Sequence, residues 1–173
     1  ILANKYVKSD FSHLKQVYND GSLIIYENPL VLPRAFIVHK AKVILNRDSI
    51  FKTLADESFN FRDTVILEEP INLTGIDNSI PEPEPVITTY LPNRVVVKAD
   101  VKQDGYLVLC DSYNSGLKAY VDGKKAQILK ADYILRAVKL EPGNHVIEFI
   151  YSPLSIKIGA IITLVFFILS IIM

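Results

Sequence analysis

Three histidines, one cysteine and 19 carboxylate side chains are the groups from which this sequence could build a reactive centre. Their spacing argues against one. His13, His39 and His145 are scattered, and none stands two or four residues from another His, Cys or carboxylate pair in a metal-binding pattern. Neither a metal nor a cofactor is expected. Cys110 ends the apolar run Leu107-Val108-Leu109-Cys110, where a small buried hydrophobe is the usual occupant, and as a lone cysteine it can close no internal disulfide. The glycines are isolated, so no loop of clustered glycines cradles a phosphate, and no Gly-x-Ser-x-Gly elbow is present. Glu68-Glu69 and Glu82/Glu84 fall in polar stretches, where a solvated face is expected over acid–base work. No catalytic residue is assigned, and the chain is not expected to be an enzyme by itself.

Binding chemistry is better served. In Tyr26-Glu27-Asn28-Pro29-Leu30-Val31-Leu32-Pro33-Arg34-Ala35-Phe36, two prolines bracket an apolar bulge and deliver Arg34 to the start of a strand. Its guanidinium offers five donors and a permanent charge. From Asp111 to Gly123 runs a polar loop edged by tyrosines, with Tyr113, Lys118 and Tyr120 as candidate contacts. Tyrosine joins a broad ring to a hydroxyl, which suits sugars or lipid headgroups, although the absence of tryptophan weighs against a dedicated stacking platform. The four candidate binding residues are therefore Arg34, Tyr113, Lys118 and Tyr120. The plainer alternative pairs Arg34 with Asp111 or Asp122 as a structural clamp, with the tyrosines packed at a sheet edge.

The elements that must position them read as β. Arg94 to Val101 alternates apolar and polar residues, and Tyr106 to Asp111 is apolar on both faces, as in the middle of a sheet. Lys118 to Val121 and Lys124 to Leu129 flank Asp122-Gly123, a tight-hairpin dipeptide. Ile134 to Leu140 and His145 to Tyr151 flank Glu141-Pro142-Gly143-Asn144, read as a type II turn. These six strands are expected to form an antiparallel meander. Earlier, Leu14 to Tyr18 and Leu23 to Tyr26 flank Asn19-Asp20-Gly21, Arg34 to Val38 and Thr64 to Leu67 read as strands, and Asp48 is expected to cap a short helix through about Asp56. Glu68 to Pro85 reads as a surface loop with polyproline character, and Asn72-Leu73-Thr74 fits a glycosylation acceptor only at chance level. The predicted fold is mainly β: an antiparallel, jelly-roll-like sandwich with one short helix, its two sheets burying their apolar faces together.

Ile158 to Met173 carries no charge and is apolar on every side, and with Ile156 and Lys157 it reaches about 18 residues, near the lower limit for crossing a bilayer. The expected organisation is one soluble domain over 1–155 and a transmembrane helix over 156–173. Positive and negative side chains balance at 19 each, which disfavours nucleic acid as a partner. Because the chain opens on Ile1, it is read as a piece of a longer polypeptide.

Four segments resemble a known family. Tyr26-Glu27-Asn28 with Leu32-Pro33-Arg34-Ala35-Phe36, then Lys118-Ala119-Tyr120-Val121-Asp122-Gly123-Lys124, then Pro142-Gly143-Asn144-His145-Val146-Ile147-Glu148-Phe149-Ile150-Tyr151-Ser152-Pro153, are similar to the C-terminal region of the bacterial YfhO membrane-protein family. Asn4-Lys5-Tyr6-Val7 resembles the segment that opens that region, so the likeness runs from Asn4 to about Gly159. One departure stands out: where the family often has Pro-Gly-Trp, this chain has Ser115-Gly116-Leu117, so any stacking by that tryptophan is lost. The resemblance implies a polytopic membrane protein related to C-superfamily glycosyltransferases that use lipid-linked sugars on cell-envelope polymers. It places the soluble domain on the extracytoplasmic side of the cell membrane, after a multispan catalytic part whose acidic residue lies outside this segment. The expected role is that of a non-catalytic accessory domain supporting an acceptor or the active-site loops. The expected partners are the bilayer, the rest of the parent protein and a glycan or lipid-linked sugar. The alternative is a membrane-anchored binding or assembly module without sugar contact.

Overall fold

The computed structural model describes residues 14–69 and 82–172. The chain divides into two compact units, Ile1–Pro33 and Arg34–Met173. Within the first, β1 (Lys15–Asn19) and β2 (Ile24–Glu27) form an antiparallel hairpin. Asp20 organises its turn by accepting from the N–H groups of Ser22 and Leu23, and these bonds hold its carboxyl down at about 2.

The second unit is built from β3 (Ala35–Val38), β4 (Lys40–Val43), α1 (Arg47–Leu54), β5 (Thr64–Leu67), β6 (Val86–Leu91), β7 (Arg94–Val101), β8 (Gly105–Leu109), β9 (Leu117–Val121), β10 (Lys124–Ala126), β11 (Leu129–Ala131), β12 (Leu135–Leu140), β13 (Gly143–Tyr151) and α2 (Leu154–Ile172). One sheet has the order β10-β9-β13-β7-β6, the other β3-β8-β12-β11-β5-β4. Pairing is antiparallel except between β4 and β5, whose parallel register requires a crossover, and that crossover carries α1. Asn46, not Asp48, caps the helix, its Oδ1 accepting from the N–H of Ser49 at 3.0 Å. Asp48 falls two positions too late to cap and instead sits in the first turn, where a carboxylate complements the helix dipole.

The two sheets pack face to face. Val95, Val97, Ala99, Val101, Ala119, Ile147 and Phe149 from one meet Ala35, Leu107, Leu109, Val138 and Leu140 from the other in a single core. The strands after residue 94 are therefore no meander: the chain changes sheet after β7, β8, β10 and β12. Two local readings change with that. The expected strand Lys124 to Leu129 is broken at Gln127-Ile128, its first part pairing with β9 and its continuation with β12. The Pro142-Gly143 segment joins strands of different sheets, so it is a corner and not a hairpin, with Gly143 at φ 142. By contrast, Asp122 (φ 51) and Gly123 (φ 76) hold the two positive angles of a type I′ hairpin turn. Two strands went unread in the sequence, β4 and β6. β3 and β4 are consecutive stretches of one extended segment bent at His39, although they form opposite edges of their sheet. Since Val38 and Lys40 cannot be more than about 7 Å apart, the sheet must curl until those edges meet. This explains why Tyr106 and Val108, which alternate with the inter-sheet residues Leu107 and Leu109, are fully buried as well.

α2 offers an 18-residue window, Leu154–Ile171, of mean hydropathy 2.4 with none of it buried against the protein, long and apolar enough to cross a membrane. Asn72-Leu73-Thr74 and most of the expected polyproline loop lie outside the described residues.

Candidate functional site

Antiparallel register decides which loops gather at which end. β13 ends at Tyr151, with two residues between it and α2, and there it pairs with the first residues of β7 and β9 (Ile150 with Arg94, Tyr151 with Leu117). The Tyr151 N–H donates to the Asn93 carbonyl at 2.9 Å and the Ser152 N–H to the Gly116 carbonyl at 3.0 Å. Gly116 is required by this packing: a Cβ there would lie 2.8 Å from the Tyr151 ring and 3.0 Å from Pro153. The 92–93 turn, the 111–116 loop and the start of α2 thus form one end of the sandwich, its base.

Arg34 belongs to this base because β3 pairs with β8 (Ala35 with Leu109), and the Cys110 N–H donates to the Arg34 carbonyl at 2.8 Å. Its Nη1 donates to Asp111 Oδ1 at 2.8 Å and to the Tyr90 hydroxyl at 2.5 Å, and Tyr90 donates to the same Oδ1 at 3.0 Å. Asp111 Oδ2 accepts from Arg136 Nη2 at 2.8 Å. The carboxylate therefore joins two guanidinium groups of unlike setting. Arg136 has a side chain 8% exposed and stacks 5.0 Å from the Phe149 ring, while Arg34 is 53% exposed and lies 4.9 Å from the Tyr90 ring. Burial pulls the Arg136 guanidinium below its ordinary range and the Asp111 charge opposes that.

Beside this network an open cleft of about 370 Å³ is lined by Tyr113, Asn114, Ser115, Lys118, Lys125 and Gln127 over an apolar floor that includes Leu117, Ala119 and Ile128. Among the described residues no carboxylate pairs with Lys118 or Lys125. Such a cleft can hold a polar or anionic ring by hydroxyl, amide and ammonium donors. A larger groove of about 420 Å³ lies at the opposite end, around Glu84, Lys98, Asn144 and His145. There His145 Nδ1 bonds Asp122 Oδ2 at 2.7 Å and its Nε2 meets the Glu141 carbonyl at 2.9 Å, so the imidazole is spent on structure.

The four sequence candidates are thus partly dispersed. Arg34 and Tyr113 are at the base, and Lys118 is the second residue of β9 and lines the cleft. Tyr120 sits further along β9, paired with Lys125 and Glu148, on the face opposite the buried Ala119. Arg34 bonds Asp111 and not Asp122, because Asp122 closes the hairpin at the far end of β9. Tyr90, Arg136, Lys125 and Gln127 were not singled out from sequence. Arg136 carried a signal, an ionised residue on the inward phase of a strand whose next members are Val138 and Leu140. Lys125 carried another, since a two-residue hairpin at Asp122-Gly123 places it opposite Tyr120. Burial, with help from Asp111 and Asp132, pushes the Cys110 thiol up, away from the thiolate form that a nucleophile needs.

A family model described as bacterial membrane protein YfhO matches residues 53–163. A protein from Bacillus subtilis (strain 168), described as uncharacterized protein YfhO, is 35% identical over 79 residues, covering 46% of this chain and 9% of that protein. No solved structure matches. With the family model covering most of the sandwich and running into α2, the chain belongs to the YfhO family of bacterial membrane proteins.

Proposed function

We propose that this chain is a non-catalytic accessory domain on the extracytoplasmic side of a polytopic, glycosyltransferase-like membrane protein, where it holds an acceptor glycan or lipid-linked sugar in place. The observation that carries this reading is the cleft at the base of the sandwich. Two lysines without carboxylate partners among the described residues, a tyrosine, a serine and two amides line it, on the strand that pairs with β13 just before the apolar helix and on the segments beside that strand. A lipid-linked sugar presents hydroxyls and phosphate at the height of the membrane surface, the chemistry these donors meet. The part-buried Asp111–Arg136 pair fits the supporting half of the role, since it ties down the start of the loop that bears Tyr113, Asn114 and Ser115.

The test is transfer and binding together. In full-length protein, the double variant Lys118→Ala/Lys125→Ala should raise the acceptor KM with little change in kcat, because the chemistry is placed elsewhere. Unchanged transfer in that variant, with a folded domain, would leave the rival reading of an assembly module without sugar contact. Turnover by the 173-residue chain alone would overturn both.

A further inference from the structure

The base of the sandwich carries more exposed apolar and basic surface than its network of bonds needs. Leu91 ends β6 and is 52% exposed, Tyr90 is 53% exposed, and Ile134, Tyr113 and Tyr151 are also open. All belong to turns and strand ends that the register brings to the same side as the start of α2. The more open charges there are basic: Arg34 and Arg94 stand about half in water, against 16% for Asp111 and 26% for Glu148. Asp111 is shared by Arg34 and Arg136, Glu148 is taken by Arg94, Asp132 turns its carboxylate inward to the Ile66 N–H, Glu69 bonds Gln127, and Lys118 has no acidic partner among the described residues. Two guanidinium groups thus share one carboxylate at Asp111, and among the described residues Arg34 bonds through its Nη1 alone. Half-open tyrosines, a projecting leucine and exposed basic side chains beside an apolar helix are the composition of a surface that sits in the headgroup layer.

We infer that the base of the sandwich, through Arg34, Tyr90, Leu91, Tyr113, Lys118 and Tyr151, docks on anionic phospholipid headgroups of the bilayer that α2 enters. The occupant follows from continuity. Only Ser152 and Pro153 separate Tyr151 from α2, so this end cannot be more than a few residues' span from the surface the helix crosses. Docking would tilt the cleft toward the bilayer and fix the domain's orientation, which a tether alone does not do. The inference rests on α2 entering a membrane, as in the reading above, but not on sugar binding.

Because the chain has no tryptophan, one introduced residue is a unique reporter. The 173-residue chain with Leu91→Trp, or Ile134→Trp should the first not fold, is reconstituted in vesicles of phosphatidylcholine alone or mixed with phosphatidylglycerol, each with headgroup-level spin-labelled lipid. Lys124→Trp, at the opposite end, is the reference. Docking predicts strong quenching at the base and little at the reference, growing with phosphatidylglycerol. Adding Lys118→Gln should lower the docked-to-undocked ratio about five-fold in the anionic vesicles. Quenching at the base that equals the reference, or that ignores anionic lipid, overturns the inference while leaving the function intact. Failure of the chain to float with vesicles of either composition overturns the membrane reading, and the inference with it.

Discussion

Asp132 gives the sharpest handle on how this sandwich is stabilised. It opens the β11–β12 turn at φ 45, followed by Tyr133 at φ 71, and is 8% exposed. Its backbone exchanges with Ile66: the Asp132 N–H donates to the Ile66 carbonyl at 2.8 Å, and the Ile66 N–H donates to Asp132 Oδ1 at 2.9 Å. No cation is paired with it among the described residues. Burial pushes its carboxyl up from 3.8 to about 6, with the Ile66 bond opposing the rise. A carboxyl whose folded pKa is raised burdens the folded state once it ionises: the cost is absent below about pH 4, grows between pH 4 and 6, and is complete above. At neutral pH it is on the order of 3 kcal/mol. Asp132→Asn keeps the shape, the Oδ1 acceptor and a side chain that tolerates positive φ, yet carries no charge. The variant should therefore exceed the parent by up to about 3 kcal/mol at pH 7.5 and converge with it near pH 4. The assay is urea unfolding of the 173-residue chain in detergent, followed by far-ultraviolet circular dichroism across that range. A difference that is flat with pH, or an Asn variant less stable than the parent at pH 7.5, would refute the reasoning.

Four further outcomes are expected. Asp111→Ala should cost about 3–5 kcal/mol by stranding the buried Arg136, whereas Arg34→Ala, half in water, should cost about 1 kcal/mol or less; the same unfolding assay separates them. Gly105→Ala places a Cβ 2.8 Å from His39 Nδ1 and 3.1 Å from the Val38 carbonyl, so a drop in midpoint of several degrees is expected. Tyr106→Phe should be neutral or stabilising by about 1 kcal/mol, since the buried hydroxyl has no partner among the described residues and its pKa is pushed to about 12 by burial. At His145, burial lowers the imidazole pKa but the Asp122 and Glu141 bonds outweigh it and raise the pKa; the contribution of this bond is present below pH 6.5 and fades as pH rises through the folded value, so His145→Gln should matter more at pH 6 than at pH 8.5.

What the sequence disclosed was local, and what it hid was the assignment of strands to sheets. Asp122-Gly123 specified its hairpin because both residues must hold positive φ, a requirement few dipeptides meet. Pro142-Gly143 specified a reversal equally well, but a reversal says nothing of whether the next strand pairs beside the last or crosses to the facing sheet. β8 is apolar on both phases because its sheet is covered there on both faces, and such a run lacks the alternation that would reveal the inner face. β4 went unread because Lys40 and Lys42 give it a polar phase and its pairing with β5 is parallel and distant. At the site, Arg34 was legible from Pro33, but its partner choice depended on the β3–β8 register. Arg136 needed knowledge that its strand faces the core.

The same register explains why a charge network stands where the sandwich meets the helix. Asp111 is pulled inward by Arg136, whose burial is sustainable only with that carboxylate beside it, and outward by Arg34, which water already solvates. The inner bond fixes the 111–116 loop and the outer one leaves donors to spare. The carbonyls of Gly116 and Asn93 both accept from the β13–α2 junction, which anchors the 111–116 loop and the 92–93 turn to the start of the helix. Lys118, paired with Ile150, is one residue from the end of β13, and Leu154 is three residues beyond Tyr151. The mouth of the cleft is then within roughly 15 Å of the helix start along the chain. In the proposed reading, a ligand long enough to reach that cleft from the bilayer needs only a headgroup's length, and a soluble glycan must approach within the same distance of the membrane to be held.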